Sequence, residues 1–309
     1  MTGQNAKPEP LHGKKRCLDC LSGGFDNIFD KDSPICLSCR STATMPPSHV
    51  LTCRPVASGN QASVFKLTRR GLIYGASSRP DGRNVRLRLA MLRELAAFPG
   101  GAFADIGGGE GSYALQLLEH CQQLCLIDVE PHVLARARQR LAHATHVVIV
   151  EATAEATGLP GQGFDAAFLI EVLDHVDDPQ AVMAEAFRLL KPGGWLYLTV
   201  PNKAFPMETH PVRLGRAFLP PSCMPFLPWI GWLHTRLATA RVFSSARLVR
   251  MTEAAGFVDT RIDYLMPPFE RHPRLQSLSA WLARTPLRRF GVSLCAVAVK
   301  PGAEPGHAG

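Results

Sequence analysis

Between residues 84 and 200, five short apolar runs, AFADI, QLCLID, HVVIVE, DAAFLI and WLYLTV, alternate with stretches of helical periodicity. This alternation constrains the fold more than any other feature of the chain. A run apolar on both of its faces suits a strand buried between two layers of helices. A helix between successive strands forces them to pair in parallel, so the expected fold is α/β, a doubly wound, Rossmann-like and mainly parallel sheet, opened by an apolar-periodic helix over 84–98. In such sheets a ligand binds beyond the carboxyl ends of the strands, near the point where the strand order reverses. The residues that carry chemistry are therefore sought just after each apolar run.

The first run leads into DIGGGEGS. Asp105 ends the strand, Gly107 and Gly109 permit a turn and close approach of backbone to a ligand, and Gly111 opens a helix over Tyr113, Leu115 and Leu118. Gly109, Gly111 and Ala114 also fit the G-x-G-x-x-A form of a dinucleotide site, so the glycines alone leave two ligands open. Asp128 ends the second run, with Val129 beside it, and is placed to accept hydrogen bonds from two ribose hydroxyls. A lesser reading is a cap for a helix starting at Pro131.

DIGGGEG resembles motif I of class I S-adenosylmethionine-dependent methyltransferases, D/E-x-G-x-G-x-G. EATGLPGQGFDAAFLIEVLDHVDD resembles the same superfamily's passage into the fourth strand, and RLLKPGGWLYLTVPN its Leu-Lys-Pro-Gly-Gly turn and fifth strand. The likeness covers residues 84–202 and is weaker at SSARLVRMTEAAGF and VSLCAVAVK, the expected approach to the sixth strand and the last strand. It implies a seven-stranded sheet, S-adenosylmethionine as cofactor, and methyl transfer to a small molecule. It also implies that Asp105 reaches toward the methionine portion, that Asp128 holds the ribose, and that Glu171 contacts the cofactor through its backbone. Where the superfamily usually has Asp against the adenine, this chain offers Glu155, or Thr153 in a shifted register.

Cys17, Cys20, Cys36 and Cys39 have the spacing CxxC-x15-CxxC. Two such turns complete the closed tetrahedral shell of a structural Zn²⁺, which leaves no open position for catalysis. Cys53, Cys121, Cys125, Cys223 and Cys295 have no partner spacing and read as buried small residues. The expected organisation is a Cys₄ zinc-ribbon-like module at 12–45, a linker at 46–82 and a methyltransferase domain at 83–300.

Methyl transfer from a sulfonium needs mainly positioning, with a base only where the acceptor must lose a proton. Asp174, His175, Glu208 and His210 follow strand ends and are the candidates, His175 and His210 foremost. An insert at 203–242 holds nineteen residues between Arg216 and Arg236 without Lys, Arg, Asp or Glu. Pro220, Pro221, Pro225 and Pro228 exclude a spanning helix there. The insert reads as a lid, as a wall for an apolar acceptor, or as a shallow membrane contact with Arg213, Arg216, Arg236 and Arg241 at head groups.

Residues 83–200 carry 9 Lys/Arg and 14 Asp/Glu, whereas residues 1–82 and 201–309 are basic. Such flanks fit an anionic partner: a small-molecule, sugar or lipid-linked acceptor, a peripheral membrane surface, or RNA. No transmembrane or signal segment is evident, and a cytoplasmic protein is expected. An RNA methyltransferase using the zinc module, a non-catalytic binding protein and a nicotinamide dehydrogenase stand as alternatives, each less well matched by the motifs.

Overall fold

The computed structural model describes residues 52–53, 82–215, 217–220, 223–267, 269 and 273–302. The chain divides into two units, Met1–Met45 and Pro46–Gly309. The first unit, and with it the four zinc-spaced cysteines, lies outside the described residues.

The second unit opens with a two-residue strand, β1 (Thr52–Cys53), and helix α1 (Arg83–Leu95). There follow β2 (Ala102–Ile106), α2 (Ser112–Leu117), β3 (Gln123–Asp128), α3 (Pro131–Arg140), β4 (Val147–Glu151) and β5 (Phe164–Ile170). Next come α4 (Pro179–Leu189), β6 (Leu190–Pro201), the short strands β7 (Val212–Leu214) and β8 (Ala217–Leu219), α5 (Gly231–Leu237) and α6 (Ser245–Ala254). The unit closes with β9 (Val258–Leu265), α7 (Pro273–Leu282) and β10 (Ser293–Val299). Helix α1 forms because Val85, Leu89 and Leu92 recur at helical spacing and are buried together. Helix α4 starts sharply because the Asp178 carboxylate accepts the Gln180 and Ala181 N–H groups at 2.9 and 3.1 Å, with Pro179 at the first helical position.

The sheet runs β1-β4-β3-β2-β5-β6-β10-β9, and every neighbouring pair is parallel except those made by β10, which is antiparallel to both β6 and β9. The sheet is thus mixed, and Thr52–Cys53 pairs with Ile149 and Val150 as an eighth, edge strand beyond the expected seven. Expected strand ends match closely: β2 is AFADI and β3 is QLCLID. Leu-Lys-Pro-Gly-Gly loops out within β6: Phe164 pairs with Leu190 and Ala166 with Trp195, and Gly193 has φ of +79°. The strand is nonetheless continuous from Leu190, because Gly193 N donates to Lys300 O and Lys300 N to Gly194 O, both at 2.9 Å, at the far end of β10.

The chain winds outward through β2, β3 and β4, then returns to place β5 on the other side of β2. The order therefore reverses between β2 and β5, the point at which sheets of this kind bind ligands, beyond the carboxyl ends of the strands. The core beneath is aromatic: Phe168 stacks on Tyr197 at 4.9 Å, and the Tyr197 hydroxyl escapes burial without a partner by donating to Ala97 O at 2.7 Å. The insert forms the β7–β8 hairpin, a 3₁₀ turn at Leu227–Trp229 and α5. It fastens to the same rim: Lys203 N donates to Phe243 O at 2.8 Å, Phe243 N to Pro201 O at 2.9 Å, and Arg241 N to Asp174 O at 3.1 Å.

Candidate active site

The glycine bend after β2 is pinned to the end of β3. Gly107 N and Gly108 N donate to Ile127 O at 2.7 and 3.1 Å, and Gly109 N donates to the Asp128 carboxylate at 2.9 Å. The three glycines do different jobs. A Cβ on Gly107 would lie 2.6 Å from the Val172 side chain, and one on Gly108 would lie 2.7 Å from both Asp105 Oδ2 and Leu126. At Gly109, where φ is +56°, a Cβ would meet nothing within 4 Å. Gly107 and Gly108 thus admit protein neighbours, whereas Gly109 faces open space, the cradle that a ligand requires. Gly111, also at positive φ, precedes α2 and backs onto Leu141.

Asp128 points into this bend. One oxygen takes the Gly109 N–H and the other the Glu130 N–H at 3.0 Å, which leaves further lone pairs for hydroxyl donors. It caps no helix: the residue before α3 is Glu130, and no side-chain cap is made there. Burial raises its pKa against the opposing backbone hydrogen bonds from Glu130, Gly109 and Val129. Val129, next along, is exposed. Beyond β4, Ala152 N donates to Asp128 O at 3.0 Å, and a turn closed between Thr153 and Ala156 carries Glu155, half-buried.

Asp105 is 2% exposed, and its Oδ2 has no hydrogen-bond partner among the described residues. Burial, reinforced by the Asp128 charge, pushes its carboxyl up to about 7. Two carboxylates flanking an open bend favour a cationic ligand and repel a pyrophosphate, which separates the two ligands that the glycines alone leave open. The cradle at Gly109 and the orphaned carboxylate oxygen of Asp105 fit adenosylmethionine, which brings positive charge and a ribose.

Glu171 stands at the end of β5 with φ of +56°, a conformation costly for a side-chain-bearing residue. It is held there from both ends. Its N–H donates to Thr199 O at 3.0 Å, and its carboxylate accepts from Thr199 Oγ1 at 3.0 Å and Arg88 Nη2 at 3.1 Å. Arg88, on α1, also donates to the Tyr113 hydroxyl at 3.1 Å and Ser293 Oγ at 3.0 Å. Burial would disfavour its charge, but Glu171 and Tyr113 outweigh it and hold the guanidinium above its ordinary value. Motif reading does not single out Arg88. Its signal is an arginine set between Val85 and Leu89 on the apolar face of the helix.

Past Glu171, the structure brings Asp174, His175 and His210 together. His175 Nε2 lies 3.2 Å and His210 Nε2 3.5 Å from Asp174 Oδ2, and the two rings meet edge to face at 5.1 Å. Burial and the Glu171 charge raise the Asp174 pKa against the lowering pull of His175 and His210. Burial lowers the His210 pKa, and the Asp174 charge only partly offsets this. The site thus favours a neutral imidazole at His210. The ligand atoms of all three lie within 4.8 Å of one another, close enough to share a divalent cation. Glu208 is engaged elsewhere. Its carboxylate takes the Thr209 and His210 N–H groups at 3.0 and 3.1 Å and faces His234 Nε2 at 3.0 Å, so it shapes the loop that carries His210. Although burial opposes it, the His234 hydrogen bond and charge hold Glu208 below its ordinary value. The 26-residue separation of Glu208 and His234 within the proline-rich insert hid this pair from sequence reading.

Of the cysteines expected to be buried, Cys125 and Cys295 are, Cys121 is half-buried, and Cys223 is exposed on the insert. Cys223 corrects that expectation: the loop around it presents apolar side chains outward.

Residues 104–198 match the family described as "Methyltransferase domain". A protein of Thiobacillus denitrificans named "Ubiquinone biosynthesis O-methyltransferase" is 28% identical over 200 residues, covering 58% of this chain and 83% of that one. A rice protein named "2-methyl-6-phytyl-1,4-hydroquinone methyltransferase 1, chloroplastic" is 28% identical over 187 residues, 60% of this chain, and the chain spans 49% of its length. A solved S-adenosylmethionine-dependent methyltransferase from Mesorhizobium loti superposes with a TM-score of 0.52 at 20% identity, covering 71% of this chain and all of that one, which shows the shared fold. Residues 104–198 therefore form a methyltransferase domain. Its fold is one found in a solved S-adenosylmethionine-dependent methyltransferase.

Proposed function

We propose that this chain transfers the methyl group of S-adenosylmethionine to an oxygen of a hydroxylated ring on a small molecule that carries an apolar substituent. The observation that carries this reading is the convergence of His175 and His210 on the buried Asp174 carboxylate, at the carboxyl end of β5. The names of the Thiobacillus and rice relatives, an O-methyltransferase and a hydroquinone methyltransferase, support a ring acceptor.

Bound adenosylmethionine would supply a methyl group on an already activated sulfonium. Gly107, Gly109 and Gly111 would shape its cradle, Asp105 would face its positive charge, Asp128 with Val129 its ribose, and Glu155 its adenine. Glu171, fixed by Arg88 and Thr199, would present backbone to it. A phenolic hydroxyl loses its proton more easily than an alcohol, so a single imidazole suffices as acceptor. Asp174 orients the two imidazoles through their Nε2 atoms, which leaves Nδ1 of each as the acceptor: that of His175 has no partner among the described residues, and that of His210, kept neutral by burial, lies 3.1 Å from Thr209 Oγ1, which would give way to the acceptor's hydroxyl. The insert at 203–242 would wall the acceptor, with exposed Lys203 and Arg213 suited to an anionic substituent. Cys17, Cys20, Cys36 and Cys39 would hold a structural Zn²⁺ in a separate module.

The test is methyl-label transfer to catechols and 1,4-hydroquinones bearing apolar chains of graded length, with RNA as a parallel substrate. Label should enter the ring compounds, more efficiently with longer chains. His210→Gln or His175→Gln should lower kcat/KM by roughly 100-fold or more. For wild type, kcat/KM should rise with pH and level off below the ordinary histidine value, since the His210 pKa is depressed. Label in RNA alone, or wild-type rates in both variants at every pH, would sink the reading.

A further inference from the structure

We infer that the rim formed by α7 with the following 3₁₀ turn (Pro286–Phe290), together with the insert, is a docking surface for an anionic lipid bilayer. The first observation is an inverted helix. α7 buries Ser279, whose hydroxyl donates to Pro267 O at 2.8 Å, and turns Leu275, Leu278 and Trp281 outward, Trp281 being 60% exposed. A helix that packs a serine inward and shows leucine and tryptophan to solvent is built for an apolar or interfacial neighbour. The 3₁₀ turn continues the pattern with Leu287 and Phe290, both exposed.

The second observation is charge. Residues 273–290 contain four arginines and no Asp or Glu. Arg288 pairs with Asp263 at 3.2 Å, while Arg274, Arg284 and Arg289 are exposed and show no acidic partner among the described residues. On the insert the one carboxylate between 203 and 242, Glu208, is buried, and Lys203, Arg213 and Arg236 are exposed. Both segments therefore offer cations and apolar groups without surface acids, the combination that anionic head groups reward.

The third observation is continuity. Asn202 Nδ2 donates to Arg289 O at 2.9 Å and Gly291 O at 2.8 Å, while its carbonyl oxygen accepts from Ala204 N at 3.0 Å. Ala204 O in turn accepts from Trp229 Nε1 at 3.1 Å. The two apolar segments are thus fastened to either side of one turn at the carboxyl end of β6. On the insert side Trp232 is 72% exposed beside Trp229 and Ile230. The aliphatic share of this surface favours a bilayer over RNA, because stacking on bases rewards aromatic faces and gains nothing from exposed leucine and isoleucine. Among the described residues no helix is long and apolar enough to cross a membrane, which fits contact from one side. The inference rests on the proposed function in one respect: an acceptor with an apolar tail would then enter the crevice directly from the lipid.

Flotation of the full chain with phosphatidylglycerol-containing vesicles, against pure phosphatidylcholine vesicles, tests it. Wild type should float with the anionic vesicles only, and less as salt rises. Arg284→Gln/Arg289→Gln should weaken binding by about 30-fold, at roughly fivefold per charge, and Leu278→Ser/Trp281→Ser by at least about 10-fold. All these residues are exposed and outside the site, so adenosylmethionine affinity by calorimetry and label transfer to a short-chain hydroquinone should match wild type. That control separates failure of the docking surface from failure of the methyl-transfer reading. Equal flotation of wild type and both double variants would overturn the inference. So would capture by single-stranded RNA that needs the arginines but not Leu278 and Trp281.

Discussion

Replacing Asp105 by Asn should make the ligand-free protein harder to unfold at alkaline pH while removing its affinity for the cofactor. Burial, with the Asp128 charge behind it, moves the carboxyl from its ordinary 3.8 up to about 7. Between those values the folded chain keeps a proton that the unfolded chain has lost, so stability falls as pH rises through that window. At about 1.4 kcal/mol per tenfold, the full penalty above pH 7 is on the order of 4 kcal/mol, and roughly half of it is present at about pH 5.5. The Asp105→Asn variant escapes it. Its buried amide costs about 1–3 kcal/mol for want of partners, but that cost does not change with pH. Urea unfolding at about pH 5.5 and about pH 8 should therefore show the difference between variant and wild type widening by about 2 kcal/mol in the variant's favour. In calorimetry near pH 7, cofactor binding to wild type should release about half a proton per chain, because Asp105 is about half protonated there and an incoming positive charge returns it to its ionised form. The variant should release none. A stability difference that stays flat between the two pH values would refute the argument.

Gly109→Val should abolish adenosylmethionine binding at a stability cost of about 1–3 kcal/mol from its left-handed backbone, whereas Gly107→Ala should cost more because its methyl meets Val172; calorimetry and urea unfolding separate the two effects. Cys36→Ser should lower the zinc bound per chain, measured by atomic absorption, and leave cofactor affinity unchanged. A variant that retains its zinc would remove Cys36 from the ligand set.

Strand positions were legible because a buried parallel strand writes itself as an uninterrupted apolar run, and β2 and β3 fall where AFADI and QLCLID stand. The Gly109–Asp128 contact was legible for a related reason: both residues sit at strand ends that the topology must bring together. Contacts whose partners lie far apart left no such mark. Arg88 reaches Glu171 and Ser293 across the sheet. Glu208 finds His234 inside a segment whose prolines break every periodicity. Helix α7 was hidden by its own chemistry, because a helix that turns its leucines and tryptophan outward lacks the apolar face inward by which a surface helix is recognised. The β7–β8 hairpin turns at Gly215, with φ of +62°, over strands of three residues each, too short for alternation to show.

The carboxyl edge of this sheet concentrates acids where burial penalises them. Asp105, Asp128 and Asp174 all have raised pKa values, and each has burial as the leading cause. A protein selected for stability alone would replace such groups with apolar ones of similar volume, since an unpaired buried carboxylate costs more than it returns. Glu171, on the same edge, has its counter-charge from within the chain, at Arg88. At Asp105 no such cation stands among the described residues, and under the proposed function the missing charge comes from the ligand. Asp174 instead faces two imidazoles that can become cations only by taking up a proton. The arrangement thus divides one edge into a part waiting for a positive cofactor and a part able to acquire positive charge during the reaction. Methyl transfer from a sulfonium to a hydroxyl requires both: the cofactor loses its charge in the step, and the departing proton needs a place to go.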